Sequence, residues 1–139
     1  MAEPTYSATS VINQVVEAVI ALMNATTPFA TVTRGALPTG IGITCEVGAT
    51  FVDEVYLDKN AYVPLDMTIN GKHSDLQLLS DTMNNIHSVL TRAKEYPDST
   101  NWQIVDISNA TLPQIIGREP NNDWIMASSL TVNFYWKGD

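Results

Sequence analysis

Histidine, cysteine and basic side chains are all scarce in this chain of 139 residues. The two histidines, His73 and His87, stand fourteen positions apart. That is roughly four helical turns, so they cannot share a metal ion on one helix. Cys45 has no second cysteine to pair with, which excludes an internal disulfide, and no Cys/His cluster has the spacing of a zinc site. Lys and Arg number 7 against 15 Asp and Glu, a formal charge of -8. A balance this acidic argues against a tight, sequence-independent grip on DNA or on anionic membranes, although nucleic acid could still slide past such a surface. No stretch approaches the ~18 to 20 apolar residues of a membrane span. The opening Met1-Ala2-Glu3-Pro4 lacks the basic region and apolar run of a secretory signal, so the expectation is a chain made and kept in the cytoplasm.

Chemical motifs are equally thin. Gly40 and Gly42 flank Ile41 without a third glycine or a following helix, so no phosphate cradle is implied. Nucleophile-elbow, Walker and zincin patterns are missing. Asp53, Glu54 and Asp58 match no EF-hand spacing and read as a solvated acidic hairpin. His73 reads as a partly buried polar group near a helix start, and His87 as an exposed one. Cys45 falls on the inner face of a strand, where a free thiol behaves as a small hydrophobe. Trp102, Trp124, Phe134, Tyr135 and Trp136 lack the interleaved bases of a stacking platform for single-stranded nucleic acid and read as core, with one or two at a protein interface. Neither an enzyme nor a cofactor is expected.

What the sequence does have is periodicity. Val63, Leu65, Met67 and Ile69 alternate with Pro64, Asp66, Thr68 and Asn70, a strand with one buried face that Gly71 is expected to end. Ser74 and Gln77 offer a capping box for the helix that follows. Leu76, Leu79, Met83, Ile86, Leu90 and Ala93 form its apolar stripe. An earlier helix, capped by Ser7 or Ser10, carries Val11, Ile12, Val15, Val16, Val19, Ile20 and Met23, and ends between Asn24 and Pro28. Strands are expected at Phe29–Thr33 and, after a turn at Leu37–Gly40, at Ile41–Val47, with Ile41, Ile43, Cys45 and Val47 inward. Trp102–Ile107 has apolar residues on both sides, as an interior strand would. The strongest strand is the last, from Trp124 to Lys137. Residues 1–6 read as a flexible arm, and 48–60 and 109–122 as irregular loops broken in the second case by Pro113, Gly117 and Pro120. The fold class is α+β: a single two-layer domain over residues 1–139, with a mostly antiparallel sheet and two main helices packed on one face.

The order of these signals resembles a known family. Lys72-His73-Ser74-Asp75 at a polar turn into a helix is followed by Trp102-Gln-Ile-Val-Asp-Ile107. Then come Pro113 with Ile115-Ile-Gly-Arg-Glu119, Trp124-Ile-Met, and Leu130-Thr-Val-Asn-Phe-Tyr-Trp-Lys137. The Leu37-Pro38 turn before Ile41–Val47 agrees as well. The pattern is similar to the minor capsid or tail terminator (tail completion) proteins of tailed bacteriophages and prophages. The resemblance implies a small α+β virion protein without a catalytic centre. Such a protein forms a hexameric ring, caps the tail tube, ends its polymerisation and joins it to the head-closure or connector protein. DNA would pass through the lumen without specific binding, and acidic subunits would repel its phosphates. Another ring of the same assembly, a head-closure protein or tail tube subunit, is the nearest alternative. A small enzyme or ligand-binding domain using His73 or the acidic loop is the more distant one. The resemblance carries over no individual functional residue. The expected contacts lie instead on the two irregular stretches and the last strand: Asp53, Glu54, Asp58, Lys59, Arg118, Glu119, Tyr135 and Lys137.

Overall fold

A computed structural model describes residues 8–36, 38–50, 54–55 and 61–136, with the side chains at 8–10, 48–50, 54–55 and 61–62 excepted. Helix α1 spans Ala8–Asn24 and helix α2 Leu76–Thr91. The strands are β1 (Val32–Arg34), β2 (Gly42–Thr50), β3 (Glu54–Val55), β4 (Ala61–His73), β5 (Trp102–Arg118) and β6 (Trp124–Trp136). They form one sheet in the order β1-β2-β4-β6-β5, with β3 beside β4. Only β1 runs parallel to its neighbour, and the other pairs are antiparallel. Both helices contribute to one core on one face of this sheet, so the fold is the α+β two-layer arrangement that the periodicities imply.

The centre is β4 against β6, paired without a break from Ala61↔Trp136 to His73↔Trp124. Val63, Leu65, Met67 and Ile69 of β4 and Met126, Leu130, Val132 and Phe134 of β6 are buried on the helical side. Leu79, Met83, Ile86 and Leu90 of α2 pack onto them, as do Val11, Val15, Val16, Val19 and Met23 of α1. Ala93 lies past the end of α2. The side chain of Asn24 closes α1 against β1, its Oδ1 accepting from Val32 N at 2.7 Å and its Nδ2 donating to Val32 O at 3.2 Å.

Several local expectations are corrected. Gly71 does not end β4, which continues to His73. A Cβ at Gly71 would stand 2.7 Å from Leu79 Cδ1 and 3.0 Å from Met83 Sδ, so the glycine serves close helix–strand packing rather than a turn. The α2 cap is Asp75, whose carboxylate accepts from Leu78 N at 3.2 Å; Ser74 lies one residue too early. Ser10 falls inside α1, and Ser7 lies outside the described residues. The strand expected at Phe29–Thr33 is the shorter β1. Ile41 precedes β2 and is 57% exposed, whereas Ile43 and Cys45 are buried. The stretch 48–60 is not wholly irregular, since β2 continues to Thr50 and Glu54–Val55 pairs with Ala61–Tyr62. Pro64 lies beside Leu65↔Thr50, where the β2–β4 pairing shifts register, a position that tolerates a missing donor. The 1–6 arm lies outside the described residues.

The largest correction concerns β5. It is an edge strand, not an interior one, and it runs through 109–118 to Arg118 instead of dissolving into a loop. Pro113 and Gly117 are tolerated because they fall at irregularities of an edge, where no ladder donor is owed on the outer side.

Candidate functional site

Strand β5 uses 17 residues to span the 13 of β6, and the difference is taken up in four register shifts. These shifts bracket Val105, Ala110, Leu112 with Pro113, and Ile116. Each adds a residue that the partner strand cannot match, so the side chain leaves the regular alternation. The consequence is an apolar edge: Leu112 is 61% and Ile116 59% exposed, with Val105 and Ile115 about half exposed beside them. From Asn109 to Arg118 no residue of β5 is buried. Bulges of this kind also twist an edge away from simple strand addition.

One polar tie joins this edge to the core. His87 of α2 is buried, and its Nδ1 lies 2.7 Å from Asn109 Oδ1 while Nε2 lies 2.7 Å from Ser128 Oγ. An amide oxygen only accepts, so Nδ1 carries the proton and Nε2 accepts from the Ser128 hydroxyl. Burial pushes the His87 pKa down, and the Asn109 bond opposes it. The expectation of an exposed His87 is therefore corrected. Its helical register places it among Met83, Ile86 and Leu90, and only the paired polar partners make that position tolerable. His73 is half-buried as expected, its ring edge-on to Phe29 at 4.8 Å and its Nδ1 accepting from Asp75 N.

The contact residues expected from sequence do not converge. Arg118 ends β5 with its guanidinium 4.4 Å above the Trp124 ring. Glu119 pairs with the buried ammonium of Lys72. These two meet at the β5–β6 turn, where Asn122 holds a φ of 74°. Tyr135 sits at the other end of β6, eleven positions from Trp124 and therefore roughly 36 Å away at ~3.3 Å per residue. Glu54 lies in β3 opposite Tyr62. Asp53, Asp58, Lys59 and Lys137 lie outside the described residues. Sequence reasoning missed Val105, Leu112, Ile115 and Ile116. For the last three the signal was a density of large apolar residues, Leu112-Pro113-Gln114-Ile115-Ile116, inside a stretch read as an irregular loop and expected to carry contacts.

Open grooves flank β5, and two of them are larger than the one of about 270 Å³ beside Thr68, Gln114 and Ile116. One of about 770 Å³ lies between the start of α2 and the sheet, walled by Asp75, Leu76, Gln77, Ser80, Ile115 and Met126. The other, about 620 Å³, lies beside Tyr96, Asp98 and Gln103. Burial first, and the Asp106 carboxylate second, raise the Tyr96 phenol above its ordinary pKa, and its hydroxyl donates to Leu90 O at 2.8 Å. Neither groove is lined by a histidine or by Cys45. Among the described residues no group of three His, Cys, Asp or Glu is placed to hold a metal ion, and no helix is long and apolar enough to cross a membrane. Among the described residues the arrangement leaves β5 as an irregular edge with exposed apolar side chains.

No family model matches the chain, and no curated protein matches it. Among solved structures it is similar in fold to a chain of the virion of a native gene transfer agent (GTA) particle. The TM-score is 0.60 at 12% identity, covering 86% of this chain and 92% of that one.

Proposed function

We propose that this chain is a structural virion protein of a tailed phage or phage-like particle, and within it the tail terminator. The observation that carries the virion reading is the fold shared with a chain of a gene transfer agent virion over nearly the whole of both chains. The finer assignment rests on the order of the turn, strand and aromatic signals from Lys72 to Lys137 that resembles tail terminator proteins. In this reading the chain has no catalytic role. It closes into a hexameric ring on the tail tube, halts its growth and presents its other side to the head-closure or connector protein, with DNA passing through the lumen.

The bulged β5 edge is the subunit contact. It exposes four large apolar residues along one strand, and exposed apolar surface on a small domain is a mark of protein interfaces. Arg118 and Glu119 extend that contact at one end and Tyr135 at the other, and Lys137 is assigned to it from its place in the sequence alone. Glu54 is assigned to the tube or connector side, and Asp53, Asp58 and Lys59 are assigned to it from the sequence alone. The acidic balance of the chain favours free passage of DNA over its binding.

Purified chain added to growing tail tubes tests the assignment. A terminator stops elongation at a low ratio of chain to tube subunit and remains at one end. Incorporation along the length of the tubes would make it a tube subunit. Unchanged growth, with binding only to heads, would make it a head-closure protein.

A further inference from the structure

We propose that Asn70–Gly71 is a latent self-modification site: the sheet keeps it silent in the folded chain, and once β4 opens it deamidates to isoaspartate, which cannot re-enter the sheet. It is the only Asn-Gly step in the sequence. A glycine after asparagine leaves its backbone nitrogen unshielded, so that nitrogen can attack the asparagine side chain. Packing also fixes the glycine, because a Cβ at position 71 would stand 2.7 Å from Leu79 Cδ1 and 3.0 Å from Met83 Sδ. The seat of α2 on β4 therefore keeps the reactive pair in the chain.

The step needs only water and a solvent base. Gly71 N gives up its proton and bonds to Asn70 Cγ, the Cγ–Nδ2 bond breaks, and ammonia leaves. Water then opens the succinimide. Opening at the main-chain carbonyl gives isoaspartate, and opening at the side-chain carbonyl gives aspartate.

The folded sheet opposes this step at each atom involved. Closing the ring needs Gly71 N to eclipse Asn70 Cβ across the Cα–C bond, a rotation far from the extended backbone of a strand. Both residues are held against it from two sides. Asn70 pairs with Thr44 and Ala127, and Gly71 with Ile43 and Met126. Asn70 is 7% exposed, and its Nδ2 donates to Glu46 Oε2 at 3.3 Å.

The product does not fit the place it left. Isoaspartate adds one carbon to the main chain inside the unbroken β4–β6 pairing. The residues on either side then lose their common register, and Gly71 leaves the space under Leu79 and Met83. Aspartate keeps the register but sets a second carboxylate beside that of Glu46 at a buried position.

Peptide mapping by mass spectrometry, with the two products separated by chromatography, tests this on the intact chain. At about pH 8, Asn70 should deamidate at least about a hundredfold more slowly in the folded chain than in guanidinium chloride, because attack waits on the opened fraction. After dilution from denaturant, isoaspartate at position 70 should be confined to chains that fail to refold. The refolded yield should fall with time held in denaturant, and more slowly in Asn70→Ser. Equal rates in the folded and unfolded chain, or isoaspartate at position 70 among refolded chains, overturns the proposal. So does an Asn70→Ser yield that falls as fast as that of the unaltered chain. If Asn70→Ser does not fold, the composition of the refolded fraction of the unaltered chain still decides. None of these readouts depends on assembly into a ring.

Discussion

Gly71 is held to its size by two neighbours. Leu79 and Met83 are fully buried and occupy the space that a Cβ would take, so a larger residue forces the core of α2 away from β4. Gly71→Val should lower stability by about 1–3 kcal/mol in a urea titration, the usual range for overpacking. An unchanged midpoint would mean that α2 is not seated on that strand. Cys45 faces the same core, and burial raises its thiol to about 12. It should resist a small thiol reagent at about pH 8 in the folded chain and react at once in denaturant. The burial of Cys45 was legible because its strand alternates. The role of Gly71 was not, because a glycine that ends a strand and one that admits a helix look alike in sequence. His87 was illegible for a related reason: its burial depends on Asn109 and Ser128, which are 22 and 41 positions away.

At the scale of elements, β4, α2 and β6 were readable because each repeats one period over several turns or pairs. Strand β5 defeated the same method. Four inserted residues destroy its alternation, and Pro113 and Gly117 then look like loop signals. Only pairing with β6, which no local pattern encodes, keeps 109–118 in the sheet. Because these residues bury little in their own chain, substituting Leu112 or Ile116 by Asp should change monomer stability by no more than about 0.5 kcal/mol. In the proposed ring the same variants should weaken assembly, read by native mass spectrometry. Rings as stable as those of the unaltered chain would move the interface off β5. The cap of α2 is a separate matter of local chemistry. Asp75→Ala should cost about 0.5–2 kcal/mol, because Leu78 N loses its acceptor.

The whole molecule is a sheet with one face built for helices and one long edge left irregular and apolar. That division suits a subunit whose stability comes from its own core and whose function comes from neighbours. The two-layer arrangement followed from strand and helix periods. The candidate surface did not, because an exposed apolar edge is defined by what the rest of the chain fails to cover. The most direct test is electron microscopy of particles assembled without this chain. The account predicts filled heads beside unattached tails whose tubes overrun the normal length, with both defects restored by supplying the chain. Intact particles with tails of normal length would contradict it.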